Sequence, residues 1–421
     1  MNQQVIEGDN LATLKTYPDN YFDAVVTDPP YGLSFMGKKW DYDVPRVELW
    51  AEVFRVLKPG GHLLAFAGTR TQHRMAVNIE DAGFEIRDLI AWVYGSGFPK
   101  SLDISKAIDK AAGADRIETG SRRADVGIQG GNFSNKTKQG IIKLYNVPAT
   151  DAAKEWDGWG TALKPALEPI TVARKPIEGT VAANVLKYGT GGLNIDGARV
   201  EGILEGDPNR FKKTDGGSFN SFTKNQPIVR NEGRWPANLI HDGSEEVLKL
   251  FPEAGSTDPN PRNNKVKIGE NGIYGTFEAV TTKGYNDIGG SAARFFYCPK
   301  ASKSERDNGL KGFEPKTAGV GALRDGGRES EARGNFHPTV KPVDLMRYLV
   351  KLVTPKGGTV LDPFNGSGTT GVACKLEGFN YVGLEFDPEY CKIARARIEN
   401  YRWEPASEPE PVAPNQLNLF E

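Results

Sequence analysis

Asp28-Pro29-Pro30-Tyr31 is the segment of this 421-residue chain whose residue types say most about chemistry. It follows Phe22-Asp23-Ala24-Val25-Val26-Thr27, an apolar run that reads as a buried strand, and two consecutive prolines must end that strand. The carboxyl ends of strands are where open α/β sheets gather ligands and reacting groups. Here that position offers a carboxylate at Asp28, a carbonyl at Pro29 held by ring rigidity, and an aromatic face at Tyr31. Two acceptors beside a flat ring suit an amino group on a heteroaromatic base, whose nitrogen attacks poorly until both N–H bonds are held out of the ring plane. Tyr31 adds a stacking surface worth roughly 1 to 3 kcal/mol per base. Without context the same residues also read as a plain strand-ending turn.

A second constellation supplies context. Asp362-Pro363-Phe364-Asn365-Gly366-Ser367-Gly368-Thr369 lies between the strand Thr359-Val360-Leu361 and a helix carrying Val372, Ala373 and Leu376. Glycines let the backbone approach a ligand, and the helix start presents unpaired N–H groups. Glu385, at the end of the next strand (Tyr381 to Phe386), follows about 20 residues on, as for a carboxylate that grips ribose hydroxyls. Strand, turn, helix, strand and acid together point to a nucleotide-like ligand. Gly189-Thr190-Gly191-Gly192 has no clear helix after it and reads as a loop. A sulfonium methyl donor is already activated, so transfer to an amine needs positioning more than acid or base catalysis. Transfer to a ring carbon would need a thiolate to attack the ring, and the Pro-Cys pair that usually supplies it is missing: Cys298 precedes a proline, and Cys374 and Cys391 fall in expected helices.

With these residues in this order, the chain resembles the β class of DNA amino-methyltransferases, in which the catalytic motif precedes the cofactor motif. The resemblance implies S-adenosylmethionine as cofactor, double-stranded DNA with a flipped base as substrate, and Asp28, Pro29, Pro30 and Tyr31 as catalytic residues. It places Asp9, within Glu7-Gly8-Asp9-Asn10-Leu11, near the cofactor adenine. His337-Pro338-Thr339-Val340-Lys341-Pro342 resembles the family's entry to the cofactor half, with Thr339 and Lys341 near the methionine part. Asp362, Phe364, Asn365, Gly366, Ser367 and Gly368 match its cofactor loop, and Glu385 its ribose ligand. Asp at the head of the catalytic motif favours adenine N6 in the family, where Ser more often marks cytosine N4. A DNA-binding protein without turnover, and an RNA or protein N-methyltransferase, stand as alternatives. Gly95-Ser96-Gly97-Phe98-Pro99-Lys100-Ser101 is similar to a loop of some members, and equally to a surface turn.

The elements that must position these sites alternate short apolar strands with amphipathic helices, which predicts a doubly wound mixed sheet of the Rossmann-like, S-adenosylmethionine-dependent methyltransferase type. Helices are expected over Leu11 to Tyr17 and Pro45 to Leu57, a strand over His62 to Ala67, and a helix with Pro342 at its first position. Asp387-Pro388 should cap the last helix. By the resemblance, residues 1–111 are expected to form the catalytic half and 335–402 the cofactor half. Between them, 112–334 is irregular and Gly- and Asn-rich, with strands expected at Leu163 to Arg174 and Ala292 to Tyr297. By elimination it should carry target recognition. Residues 403–421 are a Pro- and Glu-rich tail expected to be flexible.

Bulk composition agrees with an ordinary globular protein: 38% hydrophobic, 25% charged, with 49 Gly and 27 Pro marking many loops. A net charge of −1 gives no global basic field, so any DNA contact must rest on local patches such as Arg210-Phe211-Lys212-Lys213. Three cysteines without a Cys-x-x-Cys pair argue against a disulfide framework or thiolate zinc site, and four scattered histidines against a metal centre. No signal peptide or membrane-spanning run is seen, which predicts a cytoplasmic protein. The tail ends in Gln416-Leu417-Asn418-Leu419-Phe420, which resembles the peptide by which bacterial DNA-processing proteins bind the replication sliding clamp. Gln416 would then bond at a pocket rim while Leu417, Leu419 and Phe420 fill an apolar cleft; docking on its own domain is the other reading.

Overall fold

The computed structural model describes residues 1–33, 41–95, 97, 101–126, 138–200, 233–254, 262–263, 281–282, 290–299, 305–316 and 333–402. Its centre is an eight-stranded sheet. In chain order the strands are β1 (Gln3–Glu7), β2 (Phe22–Thr27), β3 (Leu57–Phe66), β4 (Glu85–Val93), β5 (Leu167–Arg174), β6 (Leu239–His241), β7 (Thr359–Asp362) and β8 (Asn380–Glu385). Their spatial order is β1-β8-β7-β2-β3-β5-β4-β6. The first five run parallel, and β5 enters antiparallel between β3 and β4. The expected doubly wound mixed sheet is therefore present, with the two ends of the chain interleaved: β7, from the C-terminal half, pairs with β2 through Val360–Ala24 and Leu361–Val25.

Burial on both faces follows from the strand sequences. Side chains alternate across a sheet, so the apolar run of β2 must be covered twice. Ala24 and Val26 pack with Leu64, Phe66 and the helix Val343–Val353 on one face; Val25, Leu63, Ala65 and Leu361 pack with the helix Val47–Val56 on the other. The helices are α1 (Asn10–Leu14), α2 (Val47–Val56), α3 (Gln72–Asp81), α4 (Ile104–Ala111), α5 (Asp151–Glu155), α6 (Val181–Tyr188), α7 (Glu245–Leu248), α8 (Val343–Val353), α9 (Thr369–Glu377) and α10 (Pro388–Asn400). In α2, Leu49, Trp50, Val53 and Val56 are buried at helical spacing, each contributing roughly 1.5 to 3 kcal/mol of transfer free energy. Asp387 caps α10 by accepting the N–H groups of Glu389 and Tyr390, with Pro388 at the first turn as expected.

Several elements differ from their sequence outline. The helix expected to Tyr17 stops at Leu14, and β3 begins at Leu57, immediately where α2 ends. Pro342 caps α8 rather than lying inside it. Ala292 to Tyr297 is not a strand: Ala292–Phe295 is a short 3-10 helix, started by the Ser291 hydroxyl accepting the Ala293 N–H, and Tyr297 alone bridges to Ile240 of β6. Strands β5 and β6 of the central sheet both come from the stretch 112–334.

The chain divides into two compact units, Met1–Gly95 with Leu167–Glu421, and Ser96–Ala166. The smaller contains α4, α5 and an antiparallel strand pair, Ile117–Val126 with Lys138–Val147. Its buried Asp109 is held by the N–H groups of Ala149 and Thr150 and by Arg116. Among the described residues no helix is long and apolar enough to cross a membrane. The tail, with Gln416, Leu417, Leu419 and Phe420, lies outside the described residues, as do Ser96 and Phe98 to Lys100 of the early glycine loop.

Candidate active site

The parallel register of β2 and β7 brings the two motifs to one edge. Thr27, the last residue of β2, donates its hydroxyl to Asp362 Oδ1 at 2.6 Å, so Asp28 begins its loop one residue from the start of the glycine loop. Asp362 is buried, and its other oxygen accepts from Thr370 Oγ1 at 2.6 Å. Burial pushes its carboxyl up to about 6, against the bonds from Thr27, Thr370 and the Phe364 N–H.

The Asp28 loop is pinned by a residue with no sequence signal. Asp41, itself buried, accepts the N–H groups of Tyr31 and Gly32 at 2.7 and 3.0 Å, and Thr71 donates to the Tyr31 carbonyl at 2.6 Å. Pro29 is buried and Pro30 half-buried. Tyr31 Oη lies 2.8 Å from Asp28 Oδ1 and 3.1 Å from Glu168 Oε2. Lys341 completes the cluster, its Nζ standing 2.7 Å from Asp28 Oδ2, 3.1 Å from Glu168 Oε2 and 3.1 Å from Tyr31 Oη. Burial alone would lower the Lys341 ammonium; Asp28 and Glu168 outweigh it and hold it above the ordinary lysine value. Desolvation, and then the same two carboxylates, keep the Tyr31 phenol protonated well above its usual range.

Around the glycine loop, Gly366 takes φ +51° and donates its N–H to Glu385 Oε2 at 2.8 Å, while Asp387 N–H binds the other oxygen at 2.9 Å. Burial raises Glu385 to about 7 in spite of these donors. Gly368, at φ +78°, starts α9 so close to α10 that a Cβ would sit 2.9 Å from Ala394 Cβ. Asn365 accepts from the buried Tyr381 hydroxyl at 2.8 Å. Ser367, expected at a cofactor, has both its carbonyl and hydroxyl on the buried Arg397 guanidinium, at 2.8 and 2.9 Å. Phe364 tilts against Trp50, ring centroids 6.3 Å apart.

Strand pairing brings the first expected adenine contact to the same edge. Glu7 of β1 lies opposite Glu385, Gly8 N–H binds the Glu385 carbonyl at 2.9 Å, and Asp9 follows as the cap of α1. Thr339 is exposed, and its carbonyl holds His337 Nδ1. Desolvation lowers His337 to about 4, leaving a neutral ring against Gly366. This donor set fits a nucleoside: a carboxylate with lone pairs left for vicinal hydroxyls, a glycine backbone, and a nearby Phe ring. Among the described residues no group of three or more His, Cys, Asp or Glu is arranged to hold a metal.

Sequence reasoning missed Glu168, Asp41, Thr27 and Arg397. Glu168 sits on β5 opposite Trp92, and a carboxylate within a strand of an irregular stretch has no local signature. Thr27 was visible as the residue before Asp28, but its partner became apparent only through the β2–β7 pairing.

A sequence model of the family described as DNA methylase, the N6/N4 methyltransferases, matches residues 22–114 and 282–396. The Type II methyltransferase M2.DpnII of Streptococcus pneumoniae is 37% identical over 107 residues, which are 25% of this chain and 37% of that protein. The Type II methyltransferase M.HindIII of Haemophilus influenzae is 29% identical over 84% of this chain and 68% of its own length. The M.BglI enzyme of Bacillus subtilis is 40% identical, but the match spans 21% of its length. Among solved structures, that of PvuII DNA methyltransferase (cytosine-N4-specific) aligns at TM-score 0.42 and 14% identity over 94% of this chain and 86% of that one. The family match covers β2 to β4 and β7 with β8, the strands that carry both motifs, and the chain belongs to the N6/N4 DNA methylase family.

Proposed function

We propose that this chain methylates the exocyclic amino group of a base flipped out of double-stranded DNA, using S-adenosylmethionine, with adenine N6 as the target atom. The observation that carries the reading is the convergence of the Asp28 and Gly366 loops at one sheet edge, joined through Thr27 and Asp362. In it, Glu385 would hold the ribose hydroxyls of the cofactor and Asp9 and Phe364 would hold its adenine, while Asp362 fixes the start of the loop around Gly366 through Thr27, Thr370 and the Phe364 N–H. Bound there, S-adenosylmethionine supplies a methyl group on a positively charged sulfur. Asp28 accepts one N–H of the base amine and the Pro29 carbonyl the other, which turns the nitrogen lone pair out of the ring plane. As the nitrogen gains positive charge, the Asp28 carboxylate stabilises it and is placed to take the proton it sheds. Extruding the base costs a few kcal/mol, offset in part by stacking on Tyr31.

The test is transfer of labelled methyl to duplex DNA, followed by digestion and nucleoside analysis. N6-methyladenine is the expected product. N4-methylcytosine would replace the adenine assignment, and label entering RNA or protein instead, or no transfer, would overturn the reading. The tail is part of the same proposal: Gln416, Leu417, Leu419 and Phe420 tether a cytoplasmic enzyme to the replication sliding clamp, and unchanged clamp affinity on deleting 416–420 would remove that element.

A further inference from the structure

The Lys341 ammonium is shared by two carboxylates, and only one of them belongs to a motif. Asp28 and Lys341 alone would neutralise each other at the edge where a cationic ligand is read to bind. Glu168 changes that count. Its Oε2 lies 3.1 Å from the same ammonium, its side chain is 21% exposed, and the phenols around it stay neutral: Tyr94 is pushed up to about 12, by burial first and then by Glu168. A glutamine in its place would keep the shape and one acceptor oxygen for Lys341 and Tyr31 while removing the charge.

We propose that Glu168 is a positioning residue that leaves the Asp28, Lys341 and Glu168 cluster with one net negative charge, and so makes the site prefer the cationic sulfonium cofactor over its neutral thioether product. The inference rests on the function proposed above. Two carboxylates this close to one another are tolerated because a cation lies between them, and in a partly dehydrated site the surplus charge is weakly screened. Tyr31 gains a second acceptor by the same arrangement. Its hydroxyl accepts from Lys341 and has one hydrogen to donate, to Asp28 at 2.8 Å or to Glu168 at 3.1 Å. When Asp28 Oδ1 takes an amine N–H, Glu168 can receive the displaced phenol hydrogen.

Equilibrium binding of S-adenosylmethionine and of S-adenosylhomocysteine, measured on the full chain without DNA, separates charge from shape. The ratio of the two affinities should fall roughly 5- to 10-fold in Glu168→Gln, about 1 to 1.4 kcal/mol. Glu168→Met, neutral but apolar, should lower it equally, Glu168→Asp should keep it within about twofold, and Glu168→Gln with Lys341→Met, which restores one net negative charge, should bring it back. A ratio unchanged in both neutral variants, with or without a loss of both affinities, would overturn the proposal while leaving the function intact. A wild-type chain that binds neither ligand would instead sink the function reading and this inference with it.

Discussion

Lys341 Nζ stands 2.7 Å from Asp28 Oδ2, an ion pair across 313 positions of sequence that ties the strand-end loop of β2 to the segment leading into α8. Lys341 is buried and Asp28 is partly buried, so removing either member strands the other's charge in a site that water only partly reaches. Each half of the motif set thus depends on the other for its electrostatic balance.

Asp28→Ala should lower kcat for methyl transfer by about 10² to 10³-fold, since it removes an acceptor whose value rises as the amine becomes cationic. Binding of the neutral S-adenosylhomocysteine should stay within about threefold, because Lys341 retains Glu168 as a partner. Single-turnover transfer and equilibrium titration on the same preparation check both halves.

Glu385 makes stability fall as pH rises through its window. Its folded value of about 7 exceeds the roughly 4.3 of an unfolded glutamate, so the protonated form is favoured by folding. That contribution is complete below about pH 4.3 and is lost as pH rises to about 7, on the order of 1 to 3 kcal/mol. Asp362, at about 6, acts in the same direction. Denaturant midpoints of Glu385→Gln should show a flatter pH dependence between 4.5 and 7 than wild type; parallel curves would contradict the assignment.

His337 should act in the opposite sense. Held near 4 when folded, against about 6.5 unfolded, it contributes stability that is present above about pH 6.5 and lost as pH falls toward 4. Proton-coupled NMR titration of the ring should show it neutral throughout pH 5 to 8.

Gly368→Ala should destabilise the chain by roughly 2 to 4 kcal/mol, combining a left-handed backbone with a Cβ forced against helix α10. The φ of +78° and the 3.0 Å approach to Ala394 Cα leave no flexible atom to yield. Gly189→Ala, at φ +76° with nothing within 4 Å of the new Cβ, should cost only the strain of about 1 kcal/mol. Thermal unfolding of the two variants side by side tests whether crowding or backbone strain dominates.

Local regularities were legible in the sequence because they are written by neighbours. Asp387-Pro388 announced the start of α10, the apolar run Phe22 to Thr27 announced a strand buried on both faces, and Asp362 to Thr369 with Glu385 announced a strand, turn, helix and strand in order. Each depends on capping, on period-two alternation or on glycine's freedom at positive φ, all set within a few residues. The tertiary structure alone decided the rest. That β5 would turn antiparallel and deliver Glu168 beside Lys341, that Asp41 would bind the loop at Tyr31, and that Arg397 would occupy the carbonyl of Ser367 are contacts across ten to more than 170 positions. A polar side chain carries no mark of a distant partner; burial selects the partner only once the sheet has closed and an unpaired donor or charge has become costly.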